Sequence, residues 1–160
     1  MESGRKRCLV KFNYVSMSED AVDAVFSLAV GDRVGSTDLH IAADDAYTAV
    51  SDTRRKPIRE RRQVPITTLD AIATERVGLI KIDVEGHEAA VLAGARATIV
   101  RDHPVLFVEI YRGVASNPDP EATIASICEL GYRAWLLGAH GLERYVRHDD
   151  RRYNYFFIPS

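Results

Sequence analysis

Apolar and polar residues change period along this chain, and the changes mark out its elements. RCLVKFNYV (Arg7 to Val15) alternates, which predicts a strand with Cys8, Val10, Phe12 and Tyr14 on one face. AVFSLAV (Ala24 to Val30) and STDLHIAA (Ser36 to Ala43) read as two further strands, with Gly31 to Gly35 closing a local hairpin between them. VPIT (Val64 to Thr67) is short and extended, and Thr67 or Thr68 caps a brief helix through Asp70, Ala71 and Ile72. VGLIKIDV (Val77 to Val84) is a nearly unbroken, β-branched run of the kind found in strands covered on both faces, interrupted only by Lys81.

From Gly86 the period becomes helical, with Val91, Leu92, Ala95 and Ile99 on one side and alanines between them. That single helix ends near Arg101, before His103 and Pro104. PVLFVEI (Pro104 to Ile110) is another buried strand, YRGVASNPDP a loop, and Glu121 to Leu130 a helix stopped by Gly131. YRAWLL (Tyr132 to Leu137) and NYFFIP (Asn154 to Pro159) are strands, separated by the turn GAHG and a short extended LERYV segment. Trp135 and Phe107 read as core. Strand and helix alternate, so the fold class is α/β, with a C-terminal antiparallel strand pair in place of a further crossover.

Composition narrows the picture. A chain of 160 residues suits one domain. Its 21 basic and 23 acidic residues leave a formal charge of −2, which points to a small-molecule partner, with no nucleic acid and no membrane. RRKPIRERR (Arg54 to Arg62) contains Pro57 and little apolar periodicity, so it reads as a solvated loop within a linker-like stretch from Asp44 to Arg62. Cys8 and Cys128 show no metal-type spacing to the five histidines and read as buried small hydrophobes in a reducing compartment. No apolar core follows the basic N-terminus and no run reaches the roughly 18 residues of a membrane span, so a cytoplasmic chain is expected.

The chemistry concentrates in LIKIDVEGHEAAVLAGA, Leu79 to Ala95. An open α/β sheet holds its ligand outside the carboxyl ends of its strands, and here a buried strand ends in Asp83 and Glu85 before turning through Gly86 into a helix. Asp83 is either a site acid or the helix N-cap. Glu85 either orients a substrate or complements the helix N-terminus. Gly86 suits a tight turn that has no room for a Cβ. His87 is a base near neutral pH or an exposed helical histidine, and Glu88 a first-turn charge. Glu109 closes the neighbouring strand on the same edge, where it pairs with Asp83; paired acids share a proton or hold a divalent ion, and no metal is assigned.

AVGDRVGSTDLHI, VPITTLDAI, GLIKIDVEGHEAAVLAGA, HPVLFVEI and NYFFIP, in that order, resemble the FkbM-type family of S-adenosylmethionine-dependent methyltransferases. KIDVEGHE is the most specific element, and the similarity covers residues 24–159. The resemblance implies a Rossmann-like class I methyltransferase sheet and an enzyme that methylates a hydroxyl of a sugar, polyketide or related metabolite. It implies Asp83, Glu85 and His87 as catalytic residues, and Asp32, Asp83 and Gly86 as contacts of S-adenosylmethionine. Glu109 and Tyr111 contact the acceptor, with Tyr111 in a loop over the site.

One family feature is missing. The family opens with a strand, a glycine-rich D-x-G-x-N-x-G turn and a helix, and no such turn precedes Ala24. The expected organisation is therefore an N-terminal extension over residues 1–23 and a partial, N-terminally truncated domain over residues 24–160. In the family's strand order the Ala24 and Val77 strands stand two strands apart, so truncation leaves two open edges facing a gap, which only Arg7 to Val15 is available to fill. Rearranged pairing, a partner chain or a marginal domain follows. The competing readings are a non-catalytic remnant that pairs through its open sheet edge, as a homo-oligomer or with another chain, and a true start upstream of Met1.

Overall fold

In the computed structural model of the chain, residues 6–11, 26–44, 47–50, 53, 55–112 and 119–160 are described. They form two sheets. The larger has the order β1-β5-β6-β9-β7-β8, from β1 (Lys6–Lys11), β5 (Val77–Asp83), β6 (Val105–Glu109), β9 (Asn154–Pro159), β7 (Tyr132–Gly138) and β8 (Gly141–Arg144). β1, β5 and β6 are parallel; β9 runs antiparallel to both β6 and β7, and β7 and β8 form a hairpin. The smaller sheet has the order β2-β4-β3, from β2 (Ala29–Val30), β4 (Ile58–Thr67) and β3 (Gly35–Ala42).

The core lies on one face of the large sheet. Ile80, Ile82, Leu106, Val108, Tyr155 and Phe157 alternate inward along β5, β6 and β9. They meet Val91, Leu92 and Ile99 of α2 (Glu88–Ala93) and α3 (Arg96–Asp102), and Ile124 and Ile127 of α4 (Pro120–Cys128). The opposite face of β5 and β6 carries Leu79, Lys81, Asp83, Phe107 and Glu109, all half-buried. β5 is thus fully covered on one face only. Phe107 and Trp135, read as core, also lie half-buried, Phe107 stacked on Phe156 at 4.6 Å between ring centroids.

Four expectations need correcting. β2 and β3 do not form a hairpin through Gly31 to Gly35; they flank β4, with Ala29 and Gly35 both opposite Ile66. Of the arginine-rich stretch read as a loop, residues 58–62 are the first half of β4. Its side chains stay in water on both faces, so no apolar period betrays a strand held by its backbone pairing to β3. The helix predicted from Gly86 to Arg101 is two helices. Gly94 breaks it where the chain touches the backbone of Gly31 with no space for a Cβ, and Asp70, in α1 (Leu69–Ile72), accepts from Ala97 N at 3.0 Å and Thr98 N at 2.7 Å to cap α3. Last, the Ala24 strand narrows to Ala29–Val30 and belongs to the small sheet, while the place beside β5 is taken by β1, from the segment expected to be available for it.

Other elements fall where their residues place them. Thr68 caps α1, accepting from Ala71 N at 3.2 Å, and Asp119 caps α4. Gly131 follows α4 at φ 88°. Residues 12–15 of the first predicted strand and 24–25 of the second lie outside the described residues. No helix among the described residues is long and apolar enough to cross a membrane.

Candidate active site

β5 and β6 are parallel neighbours in register, Ile82 opposite Val108, so Asp83 and Glu109 emerge side by side at their carboxyl ends. Beyond Asp83 the chain turns sharply: Glu85 has φ 52° and Gly86 φ 93°, both left-handed. This turn swings Glu85 back over the sheet edge. One oxygen each of Asp83, Glu85 and Glu109 lies within 4.8 Å of the others, and all three residues are half-buried.

Cations and a phenol hold two of these acids. Lys81 Nζ donates to Asp83 Oδ2 at 2.9 Å, as its position two residues earlier on the same face of β5 allows. The Tyr111 hydroxyl donates to Glu85 Oε2 at 2.9 Å, and Arg55 Nη1 donates to the same oxygen at 3.4 Å. The Arg55 guanidinium lies 4.1 Å from the Tyr111 ring centroid and 5.4 Å from that of Tyr47, which ties the small sheet's connection to the site. Glu109 has no hydrogen-bond or ion-pair partner among the described residues.

Burial pushes the Glu109 carboxyl above the usual carboxylate range, and the charges of Asp83 and Glu85 push it further. Glu85 is raised by burial, against the opposing pull of Tyr111 and Arg55. Tyr111 is raised by burial and by Glu85, so it remains a proton donor. The three oxygens are also the donors a hard divalent cation takes, with Lys81 and Arg55 already set against two of them.

Asp83 does not cap the helix, because α2 begins five residues later and its N-cap, His87, makes no side-chain capping bond. Glu88 is the first-turn charge expected on α2, and it is also buried: it is 1% exposed, accepts from Gly86 N at 2.7 Å and is pushed up to about 7 by burial. It braces the turn that carries Glu85. His87 turns to the other sheet: its Nε2 would lie 3.1 Å from a Cβ at Gly31, and the charges acting on it are Asp32 and Arg33. That nitrogen is buried and has no partner among the described residues, and desolvation lowers the ring's pKa, favouring neutral imidazole. Asp32 is half-exposed and pairs with Arg33 at 3.3 Å.

The structure therefore gathers Asp83, Glu85, Glu109 and Tyr111 at one point and sets His87 with Asp32 at a second, with Gly86 between them in the chain. Sequence reading missed Arg55, Lys81 and Glu88 as members. Only Lys81, a charge inside an apolar strand, carried a signal.

A crystal structure of Methyltransferase FkbM from Methylobacillus flagellatus KT is similar at a TM-score of 0.49 and 20% identity; the likeness covers 84% of this chain and 28% of that one. No curated protein matches. Residues 5–134 match the Methyltransferase FkbM domain. The match takes in β1 to β6, α4 and the start of β7, including the acid-bearing turn, and the chain belongs to the FkbM methyltransferase domain family.

Proposed function

We propose that this chain is an S-adenosylmethionine-dependent O-methyltransferase domain acting on a hydroxyl of a sugar, polyketide or related metabolite, on a Rossmann-like sheet in which β1, from the N-terminal segment, supplies the strand beside β5. The observation that carries the reading is the meeting of Asp83, Glu85 and Glu109 at the ends of parallel β5 and β6 in a member of this family.

The described donor set fits the cofactor. Carboxylates suit an ammonium and a sulfonium, and the orphaned, buried Nε2 of His87 beside Asp32 suits an adenine edge. In the proposal Asp83 takes the ammonium, Asp32 and His87 the base, and the Cβ-free backbone of Gly86 allows close approach. S-adenosylmethionine supplies an electrophilic methyl group when bound. The rest belongs to this chain. Glu109, raised in pKa and with no side-chain hydrogen-bond partner among the described residues, accepts the acceptor hydroxyl's proton. Glu85, fixed by Tyr111 and Arg55, orients that hydroxyl, and the Tyr111 ring walls the acceptor.

Calorimetric titration with S-adenosylmethionine and S-adenosylhomocysteine tests this. Saturable one-to-one heat is expected, with a melting shift equivalent to about 2.7 kcal/mol at a hundredfold excess over Kd. Absence of both rejects catalysis by this chain. A second reading, an interaction module, draws on β8, whose four residues are all exposed at the sheet edge. Light scattering that returns a strict monomer removes it.

A further inference from the structure

We infer that the cleft between the β7–β8 hairpin and the segment 145–153 binds a phosphate group. The cleft has a volume of about 290 Å³ and is lined by Leu136, Val146, Glu143, Asp149 and the three arginines Arg144, Arg147 and Arg152. That volume is near the lower bound of small-ligand sites, roughly 300 Å³, and suits a phosphate monoester better than a larger ligand.

The charges sort themselves by partner. The Glu143 side chain lies across Gly138, where a Cβ would have no room, and accepts from Arg152 Nη1 at 2.7 Å. Arg152 Nε also stands 4.0 Å from Asp149, whose other oxygen accepts from Arg151 N at 2.9 Å. Arg152 thus hydrogen-bonds Glu143 and stands at ion-pair distance from Asp149. Arg144 and Arg147 have no hydrogen-bond or ion-pair partner among the described residues, yet they line the same cleft. Three guanidinium groups against two carboxylates leave it positive, and a planar guanidinium matches phosphate oxygens two at a time.

The segment 145–153, which supplies Val146, Arg147, Asp149 and Arg152 to the cleft, is anchored at His148: its side chain, 3% exposed, is held between the Tyr155 hydroxyl at 2.7 Å from Nδ1 and Asp150 at 2.9 Å from Nε2, with Tyr155 wholly buried. Leu136 and Val146 offer apolar contact to the organic part of an ester. β7 runs parallel to β6, and Tyr153, in the segment that flanks the cleft, meets Tyr111 edge to face at 6.3 Å. The inference stands apart from methyl transfer.

The test is a ¹⁵N–¹H NMR titration of the full chain with inorganic phosphate, a hexose phosphate and the unphosphorylated hexose. Saturable shifts confined to residues 136–152 and to the Arg144 and Arg147 side chains are expected with the two phosphates only. Tighter binding of the ester identifies a phosphorylated metabolite as the ligand, and equal binding identifies free phosphate. Arg144→Gln with Arg147→Gln, both exposed, lowers affinity at least about tenfold, whereas Glu143→Gln frees Arg152 and raises it. No saturation by about 50 mM phosphate, equal shifts with the bare hexose, or unchanged affinity in both variants overturns the proposal.

Discussion

Single residues decide the chemistry, and they differ in how far the sequence exposes them. Asp83, Glu85 and Glu109 are legible because each acid follows an apolar strand, where chain direction alone sets it at the sheet edge. Glu88 is not, since a first-turn acid is ordinarily solvated and only the folded turn buries it against Gly86. As the proposed base, Glu109 replaced by Gln lowers the methylation rate by about 10²–10⁴-fold with little change in melting temperature. Because the folded pKa of Glu109 is raised, wild-type activity climbs with pH through a value above 4.5, a limb a pH–rate profile shows and Glu109→Gln lacks. Glu88 has a sign of its own. With its folded value near 7 against 4.5 unfolded, ionisation is disfavoured in the fold, so stability declines as pH rises between the two. Glu88→Gln keeps an acceptor for the Gly86 N–H and removes that slope, on the order of 3 kcal/mol, as urea unfolding at acidic and mildly alkaline pH measures.

At the scale of elements, what the sequence conceals is pairing between segments far apart in the chain. β5, β6, α4 and β9 show their periods because each buries an apolar face. β4 buries only Ile66 along its ten residues, so nothing in its pattern distinguishes strand from loop. The break between α2 and α3 depends on Asp70, more than 25 residues away, and on the approach of Gly31 to Gly94. Asp70→Ala uncaps α3 and costs about 0.5–2 kcal/mol in denaturant unfolding. Gly94→Ala forces a methyl group into the Gly31 backbone, separates the small sheet from α2, and costs about 1–3 kcal/mol.

For the whole molecule, the two sheets divide the proposed work. The large sheet carries the acids at the ends of β5 and β6. The small sheet's connection reaches the acids through Arg55 at Glu85, and the sheet reaches His87, at the second point, through Gly31 and Asp32. The strand order could not be read in advance: family order suggested a gap opposite β5, whereas β1 pairs there in parallel and β2 joins β4. The central claim is that one ligand spans both contacts. Titrating ¹⁵N-labelled chain with S-adenosylhomocysteine tests it most directly. Saturable shifts at Asp83 to Glu88 together with Gly31 and Asp32 are predicted; a chain whose amides there stay fixed, or move only elsewhere, contradicts the account.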